Sequence, residues 1–70
     1  MQIKIHTFKY DKTVTTLNDY LKIMSDLHGK NLSDYFTSVF ENALINGSAK
    51  IYHNFYGYIL IKISLNNKDF

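Results

Sequence analysis

Residues 49–65, AKIYHNFYGYILIKISL, decide the fold, because their apolar positions recur at every second residue. Ile59, Ile61, Ile63 and Leu65 share one face, and Tyr58, Leu60, Lys62 and Ser64 the other, which is the pattern of a half-buried strand. Just before them, Ala49, Ile51 and His53 alternate with Lys50, Tyr52 and Asn54. The intervening NFYG, residues 54–57, reads as a hairpin loop of three or four residues in which Gly57 is free to take positive φ.

Upstream of this hairpin the period is helical. Leu32, Tyr35, Phe36, Val39, Phe40, Ala43 and Leu44 fit the i, i+3, i+4, i+7 spacing at every expected position. Asn31 followed by Asp34 marks the start of that helix, and Asn46-Gly47 its end. Thr16 and Asp19 give the same start signal for an earlier helix, whose apolar stripe is Leu17, Tyr20, Leu21, Met24, Leu27 and His28, closed by Gly29. So short a link between the two predicts a helical hairpin.

Residues 2–10 read as a strand. Ile3 and Ile5 lie on one face while Phe8 and Tyr10 fall in the opposite phase, so a bulge or a change of burial is expected near His6 and Thr7. Asp11 and Lys12 read as a turn. The expected architecture is therefore α+β in the order β-α-α-β-β, a small antiparallel three-stranded sheet with the helical hairpin on one face. Residues 1–65 are expected to form one compact domain and residues 66–70, NNKDF, a frayed tail.

Composition narrows the chemistry. The chain has 70 residues and a formal charge of +2, with eight lysines, no arginine and no cysteine. Absence of cysteine removes disulfides, thiolate metal sites and thiol nucleophiles. One core of this size rarely supplies more than about 3–5 kcal/mol, so dense aromatic packing, self-association or a partner must supplement it. Six Tyr and five Phe make the first plausible. The amino terminus lacks the pattern of a secretory signal, and no apolar run approaches the roughly 20 residues of a membrane helix, so a cytoplasmic protein of a bacterial host cell is expected. The abundance of Asn, Lys, Ile and Tyr fits AT-rich coding, which also disfavours arginine.

Two helices can cover only one side of the sheet. If Ile51, Ile59, Ile61 and Ile63 face them, then Lys50, Tyr52, Tyr58, Leu60 and Lys62 face away, joined by Lys4 or His6 from the first strand. Such a face is a contact platform for a protein or a single-stranded nucleic acid, set against the simpler reading of cross-strand pairs that stabilise a solvated sheet. Phe55 and Tyr56 at the loop tip favour contact, since turns select small polar residues.

Helix, short turn, helix and hairpin, from Thr15 to Ser64, resembles in layout the winged-helix DNA-binding domains. That resemblance implies a second helix entering a groove. Here that helix offers Ser33, Asp34, Thr37, Ser38, Glu41 and Asn42, with no lysine between Asn31 and Ala49. A net charge of +2 also leaves no carboxylate array for mimicry of DNA. His6, His28 and His53 are the candidates for metal or acid–base chemistry. His28 is expected to act at its helix end, and His6 and His53 would be neighbours if their strands paired. No nucleophile elbow, P-loop, dinucleotide glycine pattern or zinc-protease helix is present, so neither catalysis nor a cofactor is expected.

The expected function is a non-enzymatic protein-binding module with Lys50, Tyr52, Phe55, Tyr56, Tyr58, Leu60 and Lys62 as contact residues. In size and style the chain resembles the small inhibitors, anti-CRISPR proteins among them, with which phages and mobile elements block host defence. The resemblance implies steric occlusion of a host protein such as a nuclease or other defence effector. A nucleic-acid-binding protein or small winged-helix-like regulator is the alternative. A homodimer through the open sheet would use the same residues.

Overall fold

The chain reverses direction at Thr7–Tyr10, earlier than the alternation of its first residues suggests. In the computed structural model, which describes residues 1–65, Gln2–His6 forms β1 and Asp11–Val14 forms β2, paired antiparallel with Ile3 opposite Val14 and His6 opposite Asp11. The phase change before Phe8 is thus a hairpin and not a bulge. Asp11 and Lys12, read as a turn, open its second strand. The proposed tail, residues 66–70, lies outside the described residues.

Two helices follow, α1 at Leu17–His28 and α2 at Ser33–Asn46, then β3 at Ser48–His53 and β4 at Gly57–Ser64. The order is ββααββ, and the sheet has four antiparallel strands in the order β2-β1-β4-β3, one strand more than expected. It is α+β as the sequence implies. β1 pairs with β4 with Ile5 opposite Ile61, and β3 pairs with β4 with Ile51 opposite Ile59.

Local chemistry sets the helix ends. The Asp19 N–H donates to Thr16 Oγ1 at 3.1 Å, so Thr16 caps α1, and Gly29 ends it at φ 69°. Gly47 ends α2 at φ 86°. The start of α2 differs from expectation: Leu32, not Asn31, occupies the cap position, and no side chain caps it. The Asn31 carboxamide oxygen instead accepts the Ser33 hydroxyl.

One core lies between the sheet and the helices. Ile3, Ile5, Ile59 and Ile61 from the central strands are fully buried with Tyr20 and Met24 of α1 and Phe36 of α2. Each such side chain contributes roughly 1.5–3 kcal/mol on burial. Tyr20 ties the helices together: its hydroxyl donates to the Phe36 carbonyl at 2.7 Å, and its ring lies 5.6 Å from that of Phe40. Burial, with a smaller contribution from Tyr35, pushes the Tyr20 hydroxyl pKa well above the ordinary tyrosine value. α2 packs on β3 and β4. No core residue comes from the outward phase of the sheet, so its other face is uncovered among the described residues. No helix is long and apolar enough to cross a membrane among those residues.

Candidate functional site

Register dictates what the uncovered face displays. Inward burial of Ile3, Ile5, Ile51, Ile59 and Ile61 forces their neighbours outward. Tyr52 stands opposite Tyr58 in the β3–β4 pair, the rings 5.8 Å apart and nearly perpendicular, and both are more than 60% exposed. The next row across the sheet is Lys50, Leu60, His6 and Asp11, and the one beyond it Ser48, Lys62, Lys4 and Thr13. Both Lys4 and His6 therefore join the face.

The electrostatics are lopsided. Lys4, Lys50 and Lys62 meet one carboxylate, Asp11, which lies 3.8 Å from Lys4 Nζ and 3.7 Å from His6 Nδ1. Asp11 and His6 are exposed and Lys4 half-buried, so both pairs are screened by solvent and worth little, and the face keeps its positive character. Lys50 Nζ lies 5.2 Å from the Tyr58 ring centre, a cation–π contact that also restrains the lysine stem.

Beyond Tyr58 the face continues onto the two hairpin tips. Phe55 is 62% exposed and stands edge-on to Tyr56 at 4.8 Å. Tyr56 itself is half-buried and packs against the core, so it anchors the loop as much as it extends it. Lys9, from the β1–β2 turn, reaches both tips, with Nζ 5.1 Å from the Phe55 ring and 5.5 Å from the Phe8 ring. Phe8, 69% exposed, and Lys9 are additions that sequence reading missed. They were hidden because residues 2–10 looked like one strand.

His28 sits at the end of α1 as expected, whereas His6 and His53 are placed differently from expectation. β1 borders β2 and β4, so His6 and His53 do not meet across a strand pair. Instead His53 meets His28, ring centres 4.9 Å apart and nearly perpendicular. His53 Nδ1 accepts the backbone N–H of Phe55 at 3.0 Å and of Tyr56 at 3.2 Å, which assigns its proton to Nε2. His28 Nδ1 lies 3.0 Å from the Met24 carbonyl, which can only accept, so there the proton sits on Nδ1. His53 thus shapes the loop that carries Phe55, and His28 supports it from the end of α1. Among the described residues no three His, Cys, Asp or Glu side chains gather as a metal site would require.

No protein-family model, no curated protein and no solved structure matches this chain.

Proposed function

We propose that this protein is a binding module, not an enzyme, and that it acts by covering a surface of a partner protein with the open face of its sheet. The observation that carries the reading is the Tyr52–Tyr58 pair, exposed on neighbouring strands and continued by Phe55 and Phe8 at the hairpin tips. Aromatic side chains with a polar end and few rotatable bonds are the usual anchors of small interfaces. Lys4, Lys50 and Lys62 around them favour an acidic patch on the partner and speed the encounter. Occlusion of a host defence protein is the biological role that suits such a module.

A second reading rests on those same lysines. A positive sheet with exposed rings also suits single-stranded nucleic acid, with bases on Tyr52 or Tyr58 and phosphates on the lysines. Salt separates the two. Nucleic-acid affinity falls by about 0.7 log units per phosphate contact for each tenfold rise in salt, whereas an interface anchored on buried aromatics changes far less.

The test is affinity capture followed by titration with the purified partner. Tyr58→Ala or Tyr52→Ala should weaken binding by about thirtyfold, the loss typical of an interface hot spot. Ile45→Ala, at an exposed position of α2, should leave it unchanged. Binding indifferent to both tyrosines, or lost only with Ile45, sinks the reading.

A further inference from the structure

The two edges of the sheet are not equivalent. β2 is a four-residue edge strand, and Lys12 occupies its core-facing phase between Thr13 and Asp11. A short edge strand with an inward-pointing charge is a known protection against further strand pairing. β3, the other edge, has six residues, Ala49 and Ile51 in its core-facing phase, and neither proline nor bulge.

Alternation in the ladder shows which backbone groups of β3 are open. The Ile63 N–H donates to the Gly47 carbonyl at 3.1 Å, so odd-numbered residues of β3 bond to β4. The other hairpin agrees: Thr7 and Tyr10 exchange both bonds, which directs even-numbered residues of β1 and β4 toward each other and odd-numbered residues of β4 toward β3. Ser48, Lys50 and Tyr52 therefore aim their N–H and C=O groups outward, where they meet no strand among the described residues.

We propose that this edge pairs antiparallel with β3 of a second copy, with Ile51 opposite Ile51 on the two-fold axis. Only even-to-even registers align open groups with open groups. Centring on Lys50 places Lys50 against Lys50, a like-charge pair that costs stability. Centring on Tyr52 leaves only residues 51–53 of β3 paired within the strand. Centring on Ile51 pairs Lys50 with Tyr52 twice, Ala49 with His53 twice and Ile51 with itself, so charge, aromatic and apolar positions are self-complementary. The helices also fit. α2 lies over β3 and β4, so its counterpart across the axis stands about two strand spacings away, roughly 9–10 Å, an ordinary helix-packing distance.

The resulting eight-stranded sheet leaves the Tyr52–Tyr58 face exposed and presents it twice. The dimer neither requires nor excludes the binding role proposed above, and it differs from a dimer formed face to face.

Sedimentation velocity from micromolar to near-millimolar concentration should show a monomer–dimer equilibrium. Backbone N-methylation at Lys50 in a chemically synthesised chain removes one outward donor per copy and spares the β3–β4 ladder. It should weaken the dimer by about thirtyfold or more. Leu60→Ala, in the middle of the open face, should not. A nitroxide on Thr13→Cys, at the far edge and in a chain without other cysteines, needs no change to β3. Seven strand spacings across the sheet and a six-residue offset along the strands, set by the Ile51-centred register, should separate the two labels by about 40 Å. A monomer at every concentration, a dimer undiminished by the N-methyl group in a folded chain, or a short label distance with sensitivity to Leu60→Ala would each overturn the proposal.

Discussion

Tyr20→Phe removes a single oxygen from the centre of the molecule and provides a test of how the helices are joined. The Tyr20 side chain is fully buried, its ring against Phe40 and its hydroxyl 2.7 Å from the Phe36 carbonyl. The phenyl ring of the variant keeps the ring contact, so the loss is one buried hydrogen bond, about 1–2 kcal/mol near neutral pH. In a domain of this size each kcal/mol moves Tm by about 4–8 °C. The pH dependence is the sharper prediction. Burial raises the folded-state pKa of Tyr20 above its unfolded value of about 10, so the folded state holds this proton more tightly. The stabilisation it gives is complete below pH 10 and falls as pH rises above that, by about 1.4 kcal/mol per unit, until the folded-state group itself ionises. Phenylalanine has no such slope. Urea unfolding followed by circular dichroism should therefore show wild type more stable at pH 8, the two equal near pH 11, and the variant more stable above it. A stability difference that stays constant from pH 8 to pH 11.5 would refute both the hydrogen bond and the burial argument.

Three further outcomes follow from local chemistry. Thr16→Ala deletes the cap of α1 and should cost about 1 kcal/mol in denaturant unfolding, with Thr16→Asn close to wild type. Gly47→Ala meets no atom within 4 Å of the added Cβ, so its cost is that of the left-handed backbone alone, about 1–2 kcal/mol, and D-alanine at the same position should restore stability. His53→Phe keeps a ring beside His28 and Tyr56 but removes the acceptor from two loop amides; hydrogen exchange at Phe55 and Tyr56 should accelerate at least tenfold while β4 amides keep their protection.

The helices and the last hairpin were legible because each is specified redundantly. In α1 the cap, the apolar stripe and the terminal glycine agree. In β4 the isoleucines alternate without interruption over a hairpin whose Gly57 adopts φ 73°. β2 was not legible, for two physical reasons. Its sequence, DKTV, buries only Val14, so no alternation announces it. The turn before it also lacks the usual signal. Two-residue hairpin turns ordinarily need positive φ, supplied by Asn-Gly or Asp-Gly. Here Phe8 and Lys9 occupy the turn with no positive φ. The Thr7 hydroxyl accepts the Lys9 N–H at 3.2 Å and gives the turn a side-chain brace that no dipeptide rule detects.

That one missed reversal governs how much of the candidate face could be read. The proposed contact residues on β3 and β4 follow from period two alone, and the register places them in the outward phase of the sheet. Phe8 and Lys9 could not follow, because their place beside Phe55 depends on a hairpin that only the folded chain reveals. The same hairpin supplies β2, which buries the far edge of β1 and leaves β3 as the longer of the two edges. A three-stranded sheet would have left β1 as an edge, with Ile3 and Ile5 beside open backbone groups and two edges equally able to pair. With β2 in place, Lys12 lies in the core-facing phase of one edge, and the uncovered aromatic face and the longer β3 edge meet at Lys50 and Tyr52. The proposed recognition and the proposed self-association would therefore converge on neighbouring groups of the same strand: side chains would serve the one, and backbone N–H and C=O groups the other.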